Sequence, residues 1–205
     1  MGDAGEEPKN RLQPESRRTD CSRRAEEQTV IETQRLLVRP LTPDDAAFVL
    51  ELVNDPDWLR FIGDKHVQTL DDARDYIQKE GTDKYPLPGL GLNVVALKDS
   101  GTPIGICGLK KRDGLDHPDL GFAFLPAHRG RGYAHEACHG FMMQLLGDSG
   151  YAHLLAITSV DNVPSIQLLE KLGMHFVSLI TLPGANHQVR LYEVVTQLAI
   201  ASTGE

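Results

Sequence analysis

The sequence predicts an α/β domain behind a polar N-terminal tail, and three observations carry that prediction. Segments that read as strands and helices follow the order strand, two helices, three strands, helix, strand, helix, two strands. Two turn-rich breaks, Asp99-Ser100-Gly101-Thr102 and Pro183-Gly184-Ala185-Asn186, fall between strand-like runs and predict antiparallel hairpins. At 205 residues, with 40% apolar and 24% charged side chains, the chain has the size and composition of one globular domain plus a tail.

Residues 1–32 are polar, of mixed charge and nearly free of aliphatics, with Leu12 alone before Val30. Such a segment buries too little apolar surface to offset its ordering entropy, which predicts a disordered tail. The folded domain is expected over residues 33–196, with a second short tail at 197–205. Arg35-Leu36-Leu37-Val38-Arg39 opens the domain as a strand. Thr42-Pro43-Asp44-Asp45 starts a helix, with Thr as N-cap, Pro at the first helical position and Asp at the third. Ala46, Phe48, Val49, Leu52 and Val53 follow at helical spacing until Asn54-Asp55-Pro56 stops them. Thr69 caps a second helix that ends at Gly81. Strands are then expected at 93–98, 103–111 and 120–125, a helix at 132–146, and a strand at 154–159. Asn162 opens a last helix closed by Gly173, a residue suited to a left-handed C-cap. Strands at 176–182 and 189–195 complete the chain.

Charge and cysteine usage narrow the function classes. Lys and Arg number 21 against 29 Asp and Glu, a formal charge of −8, the wrong sign for a chain whose main task is gripping nucleic acid. Cys21, Cys107 and Cys138 form no closely spaced pair and leave an odd count, which fits a reducing compartment rather than a disulfide framework. No apolar run approaches the ~18 residues that span a bilayer. The N-terminus has no signal-peptide core, and Glu6 stands where a myristoylation signal wants Ser or Thr. No membrane partner is expected, and the cytoplasm is the expected location.

The most informative stretch runs from Leu120 to Ala134, where a strand enters a glycine-rich, arginine-bearing turn that opens directly into a helix. The first N–H groups of a helix lack internal partners and sit at the positive end of its dipole, so they attract a phosphate. Glycine allows close approach, and Arg129 and Arg131 would add charge-assisted hydrogen bonds. The Walker pattern is absent, and His135 stands where a dinucleotide fingerprint needs its third glycine.

Arg129-x-x-Gly132-x-Ala134 matches the Arg/Gln-x-x-Gly-x-Gly/Ala signature of the GNAT N-acetyltransferases. Further along, Asn162-Val163-Pro164-Ser165 with Glu170-Lys171-Leu172-Gly173-Met174 resembles the later helix of that superfamily. The likeness covers about residues 33–195 and is nearest to the ribosomal-protein alanine acetyltransferase-like branch. Ile62-Gly63-Asp64, Asp72-Ala73-Arg74 and residues 103–109 resemble one uncharacterised group there.

The resemblance implies a GNAT fold, a mixed and mostly antiparallel twisted sheet with helices on both faces and a splayed cleft for coenzyme A. It implies acetyl-CoA as acyl donor, no metal, and direct transfer to an amine on a small molecule, a metabolite or a protein N-terminus. The oligomeric state, monomer or homodimer, is not legible. Backbone at Phe124 and Leu125 would pair with the pantetheine arm and supply the oxyanion donor. Amides of Arg129, Gly130, Arg131, Gly132, Tyr133 and Ala134 would hold the pyrophosphate. Asn162 would reach the pantetheine or simply cap its own helix, and Lys171 would approach the nucleotide or lie on a solvated face. Leu169 stands where many members place a tyrosine, so Ser165, one turn earlier, is the implied acid. Asp119 is the implied base or a turn residue before its strand, with His117 a weaker candidate.

Two other function classes stay open. His135-Glu136-Ala137-Cys138-His139 is a literal His-Glu-x-x-His on a helix, the pattern of a zinc metallopeptidase, although Glu136 near a helix N-terminus also has a dipole explanation. The loss of tyrosine at Leu169 leaves room for a non-catalytic acyl-CoA-binding module. Trp58, Phe61 and Tyr76 are expected in the core rather than on a cleft wall, and Cys107 as a buried small hydrophobe.

Overall fold

Eight strands form one sheet in the computed structural model, which describes residues 31–81, 90–148, 151 and 153–195. They are β1 (Ile31–Glu32), β2 (Leu36–Pro40), β3 (Gly91–Leu97), β4 (Pro103–Lys110), β5 (Asp119–Phe124), β6 (His153–Ser159), β7 (His175–Ile180) and β8 (Val189–Val195). Across the sheet the order is β1-β2-β3-β4-β5-β6-β8-β7. Every neighbouring pair is antiparallel except β5 with β6. The helices are α1 (Ala46–Val53), α2 (Pro56–Phe61), α3 (Leu70–Glu80), α4 (Tyr133–Asp148) and α5 (Val163–Lys171).

Both faces of the sheet are covered, so its central strands are apolar throughout rather than alternating. In β3 every residue from Gly91 to Ala96 is buried. Val49 and Leu52 of α1, Trp58 of α2, and Ala73 and Ile77 of α3 pack with Leu92, Val94 and Ile106 on one face. Ala137, Cys138 and Phe141 of α4 and Leu169 of α5 pack with Leu36, Val38, Val95, Leu109 and Tyr192 on the other. Trp58 and Tyr76 are core residues as expected, whereas Phe61 is only half-buried, with Arg60 over its ring. Cys107 is fully buried with its Sγ 3.7 Å from that of Cys138. Among the described residues no helix is long and apolar enough to cross a membrane.

Two local readings of the sequence are corrected. Residues 31 and 32, assigned to the tail by composition, form β1 in register Ile31↔Val38 and Glu32↔Leu37. Ile31 is buried against α4, where a Cβ on Gly140 would lie 3.4 Å from its Cγ2. Asn54-Asp55-Pro56 does more than stop α1. Asp55 caps a further helix, α2, by accepting from the N–H groups of Asp57 and Trp58, and Pro56 takes the first helical position. Thr69 caps α3 as expected, through a reciprocal pair of bonds with Asp72. Thr42-Pro43-Asp44-Asp45 opens with a 3-10 turn in which the Asp45 carboxylate accepts from the Thr42 N–H at 2.9 Å.

Gly108 and Gly121 face each other across β4 and β5 but differ in the room around them. A Cβ at Gly108 would lie 2.0 Å from the Gly91 carbonyl oxygen, whereas one at Gly121 meets nothing nearer than 3.9 Å. Gly108→Ala is therefore expected to cost about 1–3 kcal/mol or more by overpacking, and Gly121→Ala much less. Thermal unfolding of the two variants checks this, and equal melting temperatures would contradict it.

Candidate active site

The site begins with a failure of two strands to stay together. Strands β5 and β6 pair at Asp119↔Leu155, where the Leu155 N–H donates to the Pro118 carbonyl at 3.0 Å, and at no register position beyond. On its other side β5 is paired with β4 along its whole length. The Leu125 N–H donates to the Ile104 carbonyl at 2.9 Å, which sets the antiparallel alternation. The N–H and C=O groups of Leu120, Phe122 and Phe124 therefore point away from β4, toward β6. Where β6 has diverged, those of Phe122 and the N–H of Phe124 face an open cleft, while the Phe124 carbonyl accepts from Arg129. Leu125 differs from its expected role, since its amide is engaged and its side chain is buried against the α1–α3 layer. Phe122, not among the candidates in the sequence, shares that open edge two residues back along the strand from Phe124.

The turn after β5 is shaped as a cradle. A 3-10 turn at Pro126–His128 leads to Gly130 (φ +72°) and Gly132 (φ +81°), left-handed positions that favour glycine. A Cβ on Gly130 would meet nothing within 4 Å, so the backbone there is open to a ligand. The Glu136 N–H makes the first helical bond, to the Gly132 carbonyl at 3.0 Å. The amides of residues 130–135 have no backbone acceptor among the described residues, whereas the Arg129 N–H, expected at the pyrophosphate, is engaged by the Pro126 carbonyl at 3.2 Å. A groove of about 650 Å³ adjoins the start of α4, lined by Arg35, Gly132, His135, His139 and Lys171 among others.

Glu136 holds the cradle from behind. Its carboxylate accepts from Thr33 Oγ1 at 2.6 Å, the Arg35 N–H at 2.7 Å and Arg35 Nε at 2.6 Å. Arg35 in turn donates to the Arg131 carbonyl at 3.1 Å and lies over the Tyr133 ring. Burial raises the Glu136 pKa, but the bonds from Thr33 and Arg35 outweigh it and hold the carboxyl below its usual range. Glu136 is thus a brace, already engaged by two partners, rather than the free base of a zinc site. His135 and His139 stack at 5.8 Å. Among the described residues no group of three or more ligands could hold a metal.

The two arginines of the turn divide their work, a correction to the expectation that both face the phosphate. Arg129 turns its guanidinium away from the turn, to Asp55 and Asp57 at 2.5 Å each and to the Phe124 carbonyl at 2.8 Å. Arg131 is exposed and makes no side-chain hydrogen bond among the described residues, so it remains for an anion. Asp55 is the N-cap of α2, so Arg129 ties the cradle to that helix. The other end of α2 is tied to the far lip. The Phe61 carbonyl accepts from Ser159 Oγ at 3.3 Å, and Arg60 pairs with Asp161 at 2.8 Å. Helix α2 spans the cleft mouth.

Asp119 lies at the vertex where β5 and β6 part, 1% exposed, with both oxygens 2.9 Å from Arg112 Nε. Burial pushes its pKa up, and Arg112 opposes that rise. Along β5 it shares the α1–α3 face with Ala123, which packs in that layer. On the opposite lip, Asn162 Oδ1 accepts from the Ser165 N–H at 3.2 Å, so Asn162 caps α5. The Ser165 hydroxyl has no hydrogen bond among the described residues, and Leu169 is buried in the core. His117 is exposed and stacks on His153.

Residues 35–175 match the family model described as an acetyltransferase (GNAT) domain. The uncharacterized N-acetyltransferase YnaD of Bacillus subtilis (strain 168) is 27% identical over 147 residues, 70% of this chain and 81% of YnaD. A GNAT-family acetyltransferase from Bacillus anthracis superposes with a TM-score of 0.68 at 24% identity, covering 80% of this chain and 97% of that one. The ribosomal-protein-S5-alanine acetyltransferase of Vibrio fischeri does so with a TM-score of 0.66 at 16% identity, covering 81% and 96%. At these identities the two structures show a shared fold.

Arg129→Ala leaves the nearly buried Asp55 without its cation and is expected to cost about 1–3 kcal/mol. Asp57→Ala, at an acid that is 56% exposed, should cost less than about 1 kcal/mol. Denaturant unfolding checks the order, and equal losses would contradict it. The folded pKa of Glu136 is depressed, so its stabilisation is complete above the unfolded value of about 4.3 and is lost as pH falls through the folded value. The melting-temperature gap between wild type and Glu136→Gln should therefore be wide at neutral pH and close in acid. A gap independent of pH would refute it.

Proposed function

This chain belongs to the GNAT acetyltransferases, and from that premise we propose how its own residues carry acetyl-CoA-dependent transfer to an amine. The observation that carries the proposal is the unpaired stretch of β5 leading into the open glycine cradle. The turn amides from Gly130 to Ala134 and the free Arg131 guanidinium bind the pyrophosphate, and Lys171 serves the nucleotide end from the groove. The backbone of Phe122 and Phe124 receives the pantetheine arm as an added strand. The donor supplies an activated thioester, whose thiolate is a moderately good leaving group.

The protein's part is to orient, to polarise and to move protons. The Phe124 N–H faces the cleft and serves as oxyanion donor, while Arg129 fixes that peptide by holding its carbonyl. An amine of lysine type has a pKa of about 10.4 and must lose a proton to react. Asp119 accepts it, and burial makes this carboxylate a stronger base than an exposed one. Ser165 Oγ, on α5, returns a proton to the departing sulfur in place of the tyrosine that Leu169 replaces. We assign the catalytic domain to residues 31–195.

Calorimetry with acetyl-CoA should show one site per chain, weakened about tenfold or more by Arg131→Ala, the loss of charge-assisted bonds. Thiol release over a panel of amines should fall in Asp119→Asn with loss of the acid limb of its pH profile, and fall less in Ser165→Ala. Flat heat at millimolar acetyl-CoA would remove the cradle from the assignment. A pH profile unchanged in Asp119→Asn would remove that residue from the mechanism.

A further inference from the structure

Of the run His135-Glu136-Ala137-Cys138-His139, Glu136 serves the brace and Ala137 and Cys138 pack in the core, which leaves both histidines without a part. Four residues apart, they share one face of α4, and their rings lie parallel within 12° at 5.8 Å. Both line the groove of about 650 Å³ that adjoins the cradle at Gly132. Arg35 and Lys171 line the same groove from two other segments, ahead of β2 and at the end of α5. Four basic side chains thus converge on it against one carboxylate, Glu136, whose charge Arg35 already offsets at 2.6 Å. Among the described residues Lys171 makes no ion pair or hydrogen bond, and neither does any ring nitrogen of His135 or His139. The brace uses Nε and Nη1 of Arg35 and spares Nη2, which lies 3.4 Å from where a Cβ on Gly132 would stand. In a chain of formal charge −8 this groove reverses the sign locally, beside the cradle.

We propose that the groove binds the 3′-phosphate on the ribose of coenzyme A, through His135, His139, Lys171 and Arg35 Nη2, and that the protein selects its donor by that group. The inference rests on the acetyl-CoA reading of the cradle and goes beyond it, since a 3′-dephosphorylated donor has the same pyrophosphate and the same thioester. A phosphate monoester carries about −1.5 to −2 of charge at neutral pH, whereas adenine is neutral and has no use for converging cations. An imidazole ring donates an N–H in either charge state, so the site does not wait on protonation. The lysine adds a point charge and the guanidinium edge a directed donor. The reach also fits. At 1.5 Å per residue His135 lies about 4.5 Å, and His139 about 10 Å, beyond Gly132 along α4. A single ribose separates the pyrophosphate from the 3′-phosphate, which keeps the monoester within that span when the turn amides hold the pyrophosphate.

Calorimetry on the full chain compares two pairs that differ in this phosphate alone: coenzyme A with 3′-dephospho-coenzyme A, and adenosine 3′,5′-bisphosphate with adenosine 5′-monophosphate. The 3′-phosphorylated member of each pair should bind tighter by about tenfold or more, the worth of charge-assisted bonds. His139→Gln and Lys171→Gln, both at exposed residues, should each shrink that ratio severalfold and together bring it near one. Equal affinities within the pairs, or a ratio untouched in both variants, overturns the proposal. Tight and equal binding of the two coenzymes does so while leaving the acetyl-transfer reading in place.

A second readout needs neither thioester nor turnover. Diethyl pyrocarbonate modification of His139, read by mass spectrometry, should slow severalfold with adenosine 3′,5′-bisphosphate but not with the 5′-monophosphate, with the exposed His117 as control. Equal protection by both nucleotides assigns the groove to the base and overturns the phosphate site, as does protection by neither. Protection by the bisphosphate alone, without thiol release from acetyl-CoA over the amine panel, keeps the site and sinks the transfer mechanism instead.

Discussion

The parting of β5 from β6 is the constraint on which the rest of the molecule is organised. A parallel pair inside a sheet would ordinarily satisfy both backbones and leave nothing to bind. Here the two strands share one register position and then separate, so β5 keeps a paired edge against β4 and an open edge toward the cleft. Buried backbone groups without partners are costly, and a cleft lined by them is predisposed to an extended ligand that completes the ladder. The proposed base at the vertex, the proposed oxyanion donor along the open edge and the proposed phosphate cradle at its end thus lie in sequence on one strand and its turn.

Keeping such a cleft open requires bracing, and the charged residues nearest the cradle provide it. Glu136 gathers Thr33 and Arg35 at the start of α4, and Arg35 passes that restraint to the Arg131 carbonyl. Arg129 joins the last peptide of β5 to the cap of α2. These contacts hold backbone in place for a ligand rather than touching the ligand. A residue in a signature motif can therefore matter for its geometry while its charge faces elsewhere.

Much of this was legible in the sequence because local chemistry and tertiary demand agree there. The strand, glycine turn and helix from Leu120 to Ala134 follow from neighbouring residues alone, as do the starts at Thr42 and Thr69 and the left-handed Gly173. Helix α2 was not legible, because Asp55-Pro56 reads equally as the end of one helix and the start of another. The direction of the Arg129 side chain was hidden for a different reason: its partners Asp55 and Asp57 lie in a distant segment of the chain. Two residues of β1 were lost to a compositional boundary, since a lone buried Ile31 carries no periodic signal.

Helix α2 is anchored to both lips of the cleft, through Asp55 and Asp57 on one and through Phe61 and Arg60 on the other. A tie of fixed length between two diverging walls sets the gauge of the opening. Because one anchor belongs to the cradle and the other to the loop after β6, the spacing of the two lips is carried by one short helix.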